Sequence, residues 1–203
     1  MFTHPKRGLA AVALLGSLSL TACDSGDPGD DGAGEEELIT QVAVTLTPEG
    51  GGAEQTIQLN YDNLGNLTGT TGQISLQPGL TYGGELELLD TVNDEDITEE
   101  IEEEAEEHLF RYMLSPASAG TVTITDRESS YTSEDENGGD FAVGLQFEIA
   151  VAPNASGTAT MTGILYHFDE GPKTSSTATS DEIDVEFEVP VAFGAGPTVA
   201  PAR

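Results

Sequence analysis

Apolar and polar residues alternate along most of this chain, as in Val42, Val44 and Leu46 and in Val185, Phe187 and Val189. A period of two predicts strands with one buried and one solvated face. Gly, Pro, Asn and Asp separate the alternating runs, which is typical of turns. The predicted strands are 39–48, 55–61, 72–76, 82–89, 108–114, 120–126, 141–152, 157–168 and 182–193. About nine short strands predict an all-β fold, an antiparallel β-sandwich of immunoglobulin-like or Greek-key type, with a closed barrel as the alternative.

One acidic segment breaks this alternation. Asp96 to Glu99 resembles a capping box, and Ile97, Ile101 and Ala105 recur at a spacing of four residues. This pattern predicts a short helix over 97–107. Seven glutamates surround its apolar stripe with no Lys or Arg at helical spacing. Their repulsion should weaken the helix unless salt or a cation screens it.

The N-terminus has the layout of a bacterial lipoprotein signal. Lys6 and Arg7 precede an apolar run, and the run closes on Leu20-Thr21-Ala22-Cys23, which matches a lipobox. We therefore expect residues 1–22 to be a signal peptide and Cys23 to carry lipid. The alternative is an ordinary signal peptide with an incidental cysteine. A single cysteine cannot form an intramolecular disulfide, which favours the lipid anchor.

The composition after Cys23 predicts the remaining organisation. Residues 24–37 are rich in Asp, Glu, Gly and Pro, so we expect 23–37 to be a lipidated, flexible acidic tether. The β-sandwich is expected over 38–193, and 194–203 reads as a flexible tail. An acidic residue after the lipidated cysteine leaves inner-membrane retention and export to the cell surface both open.

The chain is strongly acidic, with 37 Asp and Glu against 6 Lys and Arg and a formal net charge of -31 at pH 7. Such a charge repels nucleic acid and anionic lipid, so it excludes DNA binding and attachment through a basic surface. It is consistent either with a cation-binding device or with adaptation to a saline habitat, where salt screens self-repulsion.

The acidic helix offers a candidate metal site. Glu104 and His108 lie one helical turn apart and Glu100 extends the same line, which would present oxygen and imidazole ligands to a divalent metal. The competing interpretation is a solvated acidic face, with His108 at the edge of the core. His167 could approach the same end of the sandwich, but the sequence does not fix that distance.

Two loops have oxygen-rich side chains around glycine. Asp62 to Asn66 is faintly like a calcium loop but lacks the final bidentate Glu of an EF-hand, so a hairpin turn is the better interpretation. Ser133 to Asp140 reads either as a calcium loop or as a polar connection between strands. No nucleophile elbow, phosphate-binding loop or zinc-protease motif is present, and we therefore expect no enzyme.

Three segments together resemble a family of small bacterial lipoproteins. They are Glu35 to Thr40, Thr45 to Pro48 and above all the acidic helix from Asp96 to His108. Members often carry the label "type 1 periplasmic binding fold superfamily protein". The resemblance implies an outer-membrane or surface lipoprotein, sometimes linked to TonB-dependent receptors. The label also implies two α/β lobes, whereas the strand pattern predicts an all-β domain, and we follow the strand pattern.

These observations lead to one main expectation and three alternatives. The main expectation is a non-catalytic β-sandwich, lipid-anchored at the outer membrane, that binds a ligand or an envelope protein. The alternatives are a purely structural envelope role, a metal-capture accessory of a TonB-dependent importer, and a hydrolase, which would require a pocket with a perturbed acid–base pair.

Overall fold

The structure is a computed structural model that describes residues 37–132, 138–168 and 171–194. The predicted signal peptide, Cys23 and the predicted tether up to residue 36 lie outside the described residues, as do residues 195–203 of the predicted tail. Within the described ranges, no helix combines the length and the apolar character needed to cross a bilayer.

The described residues form ten strands and one short α-helix, in agreement with the alternating pattern. In chain order they are β1 (Gln41–Pro48), β2 (Gln55–Tyr61), β3 (Leu67–Gly72), β4 (Ile74–Leu76), β5 (Thr81–Leu89), α1 (Ile97–Glu103), β6 (His108–Ser115), β7 (Gly120–Ile124), β8 (Gln146–Val151), β9 (Gly157–His167) and β10 (Glu182–Phe193). Short 3-10 turns occupy Ala117–Ala119 and Glu128–Ser130.

Two sheets pack face to face, which confirms the predicted all-β sandwich. One has the strand order β3-β2-β1-β5-β8-β7 and the other β4-β10-β9-β6. The strand pairs are antiparallel except for β4 and β10, which are parallel. Inward side chains from both sheets form one core, as expected for a sandwich. Its members include Val42, Val44, Leu46, Leu59, Tyr82, Leu88, Phe110, Phe147, Leu165, Phe187 and Val189.

The predicted strand over 72–76 is divided between the two sheets. Gly72 ends β3 with a φ of +91°, a conformation that side chains rarely adopt, and a Cβ at this position would collide with the carbonyl oxygen of Thr56. The chain then crosses to the second sheet and starts β4 at Ile74. The sequence of β3 contains one large apolar residue, Leu67, so it shows no apolar alternation and was not predicted as a strand. In the structure Leu67 is 55% exposed.

Asp126 shortens two predicted strands. Its buried carboxylate accepts hydrogen bonds from the backbone N–H of Gly144 at 2.9 Å and of Leu145 at 2.8 Å. Gly144 has a φ of +102°, which interrupts extended backbone. The predicted strands 120–126 and 141–152 therefore contract to β7 and β8.

The predicted helix exists but ends at Glu103, four residues earlier than expected. Asp96 caps its N-terminus by accepting a hydrogen bond from the Thr98 N–H at 3.1 Å. Beyond the helix, fully buried Lys173 donates to the carbonyl oxygens of Ala105 and His108 and pairs with Glu128 Oε1 at 3.0 Å. These bonds hold the carbonyl groups in a turn that leads directly into β6.

Candidate metal centre

The two histidines of the sandwich body lie against each other at one end of the second sheet. His108 is the first residue of β6 and His167 the last residue of β9, and the antiparallel register pairs them directly. Directly paired residues project from the same face of a sheet. Their ring centroids are 4.5 Å apart, and the residues are 0% and 1% exposed.

Two buried carboxylates face both imidazoles. Glu37 places Oε1 3.3 Å from His108 Nε2 and Oε2 3.6 Å from His167 Nδ1. Asp184 places Oδ2 3.7 Å from His108 Nε2 and Oδ1 3.5 Å from His167 Nδ1. Their side chains are 6% and 0% exposed, so the charges lie almost entirely out of water.

Glu104 adds a third carboxylate from the turn that follows α1. One ligand atom from each of Glu37, Glu104, His108 and His167 lies within 4.8 Å of all the others, an arrangement that could hold a metal ion. We call these four residues together with Asp184 the His–carboxylate cluster. Glu104 is half-buried.

The hydrogen bonding of His108 sets its tautomer. Its Nδ1 donates to the carbonyl oxygen of Glu104 at 3.2 Å, and because a carbonyl can only accept, Nδ1 carries the proton. In the neutral ring Nε2 then presents a lone pair to the carboxylates. Within the described residues Nε2 of His108, Nε2 of His167 and Oε2 of Glu37 are buried and make no hydrogen bond of acceptable geometry. Buried polar atoms are rarely left in this state unless an ion or another partner completes them.

Electrostatics in the cluster favours a positive charge at its centre. Burial by itself lowers the pKa of His108, but Glu37 and Asp184 outweigh it, so the net pKa is raised. Burial by itself raises the pKa of Glu37, but its interaction with His108 outweighs it and the net pKa is lowered. Burial raises the pKa of Glu104, and so does repulsion by Glu37, Glu107 and Glu100. His108 lowers it by less, so the net pKa of Glu104 is raised. Either a proton or a metal cation can supply the charge that these groups attract.

A β-bulge brings Asp184 into the cluster. The β9–β10 register shifts between Ile183 and Val185, so Asp184 is an extra residue in β10. Ile183, which precedes Asp184, is 44% exposed, whereas Val185, which follows Asp184, is buried. The bulge therefore turns Asp184 inward where simple alternation would leave it facing solvent.

The structure brings together two of the three metal ligands predicted from sequence. Glu104 and His108 belong to the His–carboxylate cluster, whereas Glu100 is exposed on α1 and is not part of it. Burial raises the pKa of Glu100, and repulsion by Glu95 and then by Glu37 raises it further.

Three cluster residues were not identified as ligands from the sequence. Glu37 was assigned to the end of the tether, although it lies two residues before the buried Ile39. His167 was considered but not placed, and its spacing of two from buried Leu165 was the available signal. Asp184 gave no signal, since the bulge that turns it inward leaves the apolar alternation unchanged.

The loop predicted between Asp62 and Asn66 is a hairpin turn that joins β2 and β3. The Asp62 carboxylate accepts hydrogen bonds from the N–H groups of Leu64 at 3.0 Å and Asn66 at 2.9 Å. The carboxylate oxygens of Asp62 therefore stabilise the hairpin turn, as the preferred interpretation of the sequence predicted. In the second candidate calcium loop, residues 133–137 lie outside the described residues.

Comparison with family models, with curated proteins and with solved structures found no match to this chain.

Proposed function

We propose that this protein is a non-catalytic, lipid-anchored envelope protein whose β-sandwich captures a divalent transition-metal ion at the His–carboxylate cluster. The observation that carries the proposal is the buried Nε2 of His108. Its lone pair faces carboxylate oxygens of Glu37 and Asp184 at 3.3 and 3.7 Å. Lone pairs and carboxylates repel each other in a desolvated site unless a cation lies between them.

The donor set indicates the class of metal. Imidazole nitrogen combined with carboxylate oxygen suits Zn²⁺, Fe²⁺ and related transition metals. Ca²⁺ and Mg²⁺ prefer sites built from oxygen ligands and water. Two buried imidazoles therefore favour a transition metal over the alkaline-earth ions.

The backbone supports the ligands as metal sites usually require. The Nδ1–H of His108 donates to the Glu104 carbonyl, which orients the ring and directs Nε2 toward the cluster. The carbonyl oxygen of His108 is itself held by Lys173 at 2.8 Å. The first residue of β6 is thus fixed at both its side chain and its backbone.

A purely structural role is the second candidate, and it has its own observation. The raised pKa of His108 allows a protonated ring to pair with Glu37 and Asp184, so that a proton fills the place of the metal. In that case the cluster would stabilise one end of the sandwich and would bind no ion specifically.

Thermal melting of the full-length chain separates these candidates. After treatment with a chelator, Zn²⁺, Fe²⁺, Mn²⁺ and Ca²⁺ are added one at a time. An ion present at about one hundred times its dissociation constant stabilises the folded state by about 2.7 kcal/mol. We expect a large shift with a transition metal that is lost in His108→Ala and in His167→Ala. The variant Glu99→Gln, exposed on α1, should keep the shift. Equal small shifts with every ion in every variant would indicate the structural role.

The envelope location rests on the predicted lipidation of Cys23. Acyl chains can hold the protein at a bilayer that its acidic surface repels. We propose the outer membrane as the location, and a TonB-dependent importer or another envelope protein as the recipient of the metal. Detergent-phase partitioning tests the anchor, because Cys23→Ser should move the protein to the aqueous phase; retention in the detergent phase would rule out the anchor.

A further inference from the structure

We infer that Asp184 is a metal ligand and that it forms, with Glu37, His108 and His167, an inner set of two imidazoles and two carboxylates for one divalent ion. This inference rests on the proposed metal capture and adds the ligand that completes the site. The β-bulge in β10 is the device that delivers Asp184.

The distances within this inner set fit ligands that surround an ion. The four nitrogen–oxygen separations are 3.3, 3.6, 3.5 and 3.7 Å. Ligand atoms of a tetrahedral zinc site, at about 2.0–2.1 Å from the metal, lie roughly 3.4 Å from one another. A direct hydrogen bond between the same atoms would require about 2.7–3.2 Å. The inner set is thus expanded beyond hydrogen bonding by about the amount that an ion needs.

The two carboxylates have equivalent positions around the histidines. Glu37 and Asp184 each direct one oxygen toward His108 Nε2 and the other toward His167 Nδ1. An ion between the rings can therefore be bound by one or both oxygens of each group. If Glu37 is a ligand, the same geometry makes Asp184 one.

Charge and burial favour the same assignment. Two carboxylates with two neutral imidazoles carry a charge of about -2, which a dication neutralises. The four side chains are at most 6% exposed. Glu104, which is half-buried, adds a further carboxylate beside this inner set.

The bulge gives a structural reason why Asp184 points inward. Moving a carboxylate out of water is costly, and the bulge places Asp184 beside two imidazoles that can share a cation with it. On the same strand Glu186 and Glu188 keep the regular alternation and remain exposed. Asp184 is the acidic residue of β10 that is turned toward the histidines.

The test compares Asp184→Asn with Glu186→Gln in the full-length chain. Zn²⁺ affinity is measured by competition with a chromophoric chelator, and ligation by the visible absorption spectrum of bound Co²⁺. We expect Asp184→Asn to weaken Zn²⁺ binding at least about tenfold, since even loss of an outer partner of a ligand costs about that much. It should also change the Co²⁺ spectrum, which a merely structural role would not do. Glu186→Gln should leave both unchanged.

A second variant covers the possibility that Asp184→Asn fails to fold. Deletion of Ile183 leaves one residue where the bulge has two, so regular alternation returns Asp184 to the solvent face while the carboxylate stays in the chain. We expect this variant to melt as a folded protein without metal and to lose the Zn²⁺-dependent shift.

The outcomes separate this inference from the proposed function. If the wild-type chain binds neither Zn²⁺ nor Co²⁺, the proposed metal capture is overturned. If the wild-type chain binds both ions while Asp184→Asn keeps the same affinity and the same Co²⁺ spectrum, the assignment of Asp184 alone is overturned.

Discussion

His108 is constrained on three sides, and each constraint has a different chemical consequence. Its Nδ1–H is used by the Glu104 carbonyl, its own carbonyl accepts from Lys173, and its Nε2 faces Glu37 and Asp184. The first contact fixes the ring and its tautomer, and the second holds the backbone of His108. The third leaves one nitrogen lone pair directed at anionic oxygens. A cation at Nε2 would relieve the repulsion between this lone pair and the carboxylates.

At the residue scale, the structure and the sequence disagree about one glutamate, and a pair of substitutions tests the difference. Glu37→Gln removes a carboxylate that faces both histidines, so we expect metal affinity to fall at least about tenfold. Glu100→Gln removes the ligand predicted from helical spacing but located outside the cluster. We expect its effect on affinity to stay within about threefold, through long-range charge alone. Isothermal titration with Zn²⁺ measures both variants, and a larger loss in Glu100→Gln would restore the site predicted from the helix.

Three partly buried tyrosines predict a loss of stability at alkaline pH. Burial raises the pKa of Tyr61 to about 12, and it raises the pKa of Tyr112 and Tyr131 as well. Above the ordinary tyrosine pKa of 10.0 the unfolded chain releases protons that the folded chain retains. Stability should therefore be unaffected below about pH 10 and should fall as the pH rises toward 12. Urea unfolding across this range measures the fall, which should be smaller in Tyr61→Phe; an identical fall in that variant would contradict the assignment to Tyr61.

At the scale of elements, alternation was a reliable guide wherever a strand has one wet face. The bounds of β2 and β10 agree with the prediction, and those of β5, β6 and β9 differ from it by one residue at one end. The pattern failed where tertiary contacts override it, as at Gly72 and at Asp126. A strand-breaking glycine and a buried carboxylate both depend on neighbours that are distant in sequence.

The candidate site was predictable only in part for the same reason. Glu104 and His108 are local neighbours, so their spacing could be read from the sequence. Glu37, His167 and Asp184 come from three other segments, and only the pairing of β6 with β9 and β10 brings them together. The bulge at Asp184 cannot be recognised in the sequence, because Ile183, Val185 and Phe187 still alternate with acidic residues.

Lys173 connects elements that the cluster depends on, and its removal should affect both stability and binding. Its buried ammonium group holds the carbonyl oxygens of Ala105 and His108 and pairs with Glu128 at 3.0 Å. Lys173→Met leaves those groups buried without their cation, and breaking a buried pair in this way costs about 3–5 kcal/mol. We expect urea denaturation to show this loss, together with weaker Zn²⁺ binding because the turn carrying Glu104 and His108 is released.

The matched control for Lys173 is Arg111→Met, which removes the same charge. Arg111 is half-buried and its guanidinium donates to the Thr177 carbonyl at 3.0 Å. Its loss should cost no more than about 1.5 kcal/mol. Equal losses in the two variants would mean that net charge, and not the buried contacts of Lys173, determines the effect.

At the scale of the whole molecule, the acidic surface and the His–carboxylate cluster respond to cations in different ways. The acidic side chains that give the chain its net charge of -31 repel one another, and any salt weakens that repulsion. The cluster is buried, and salt screens buried charges much less. General acidity and a specific metal site can therefore coexist, and their contributions to stability can be measured separately.

Salt dependence of melting distinguishes these two contributions. Raising NaCl from about 0.1 M to about 1 M shortens the Debye length from about 10 Å to about 3 Å, which should stabilise the folded chain. Each gained kcal/mol raises the melting temperature by about 2–4 °C in a protein of this size. The increase should be the same in wild type and in His108→Ala, because it arises from the surface. The shift caused by Zn²⁺ should persist at high salt in wild type and be absent from His108→Ala. If NaCl stabilised only the wild type, sodium would be acting at the cluster itself, and the acidity would belong to the binding site and not to the surface.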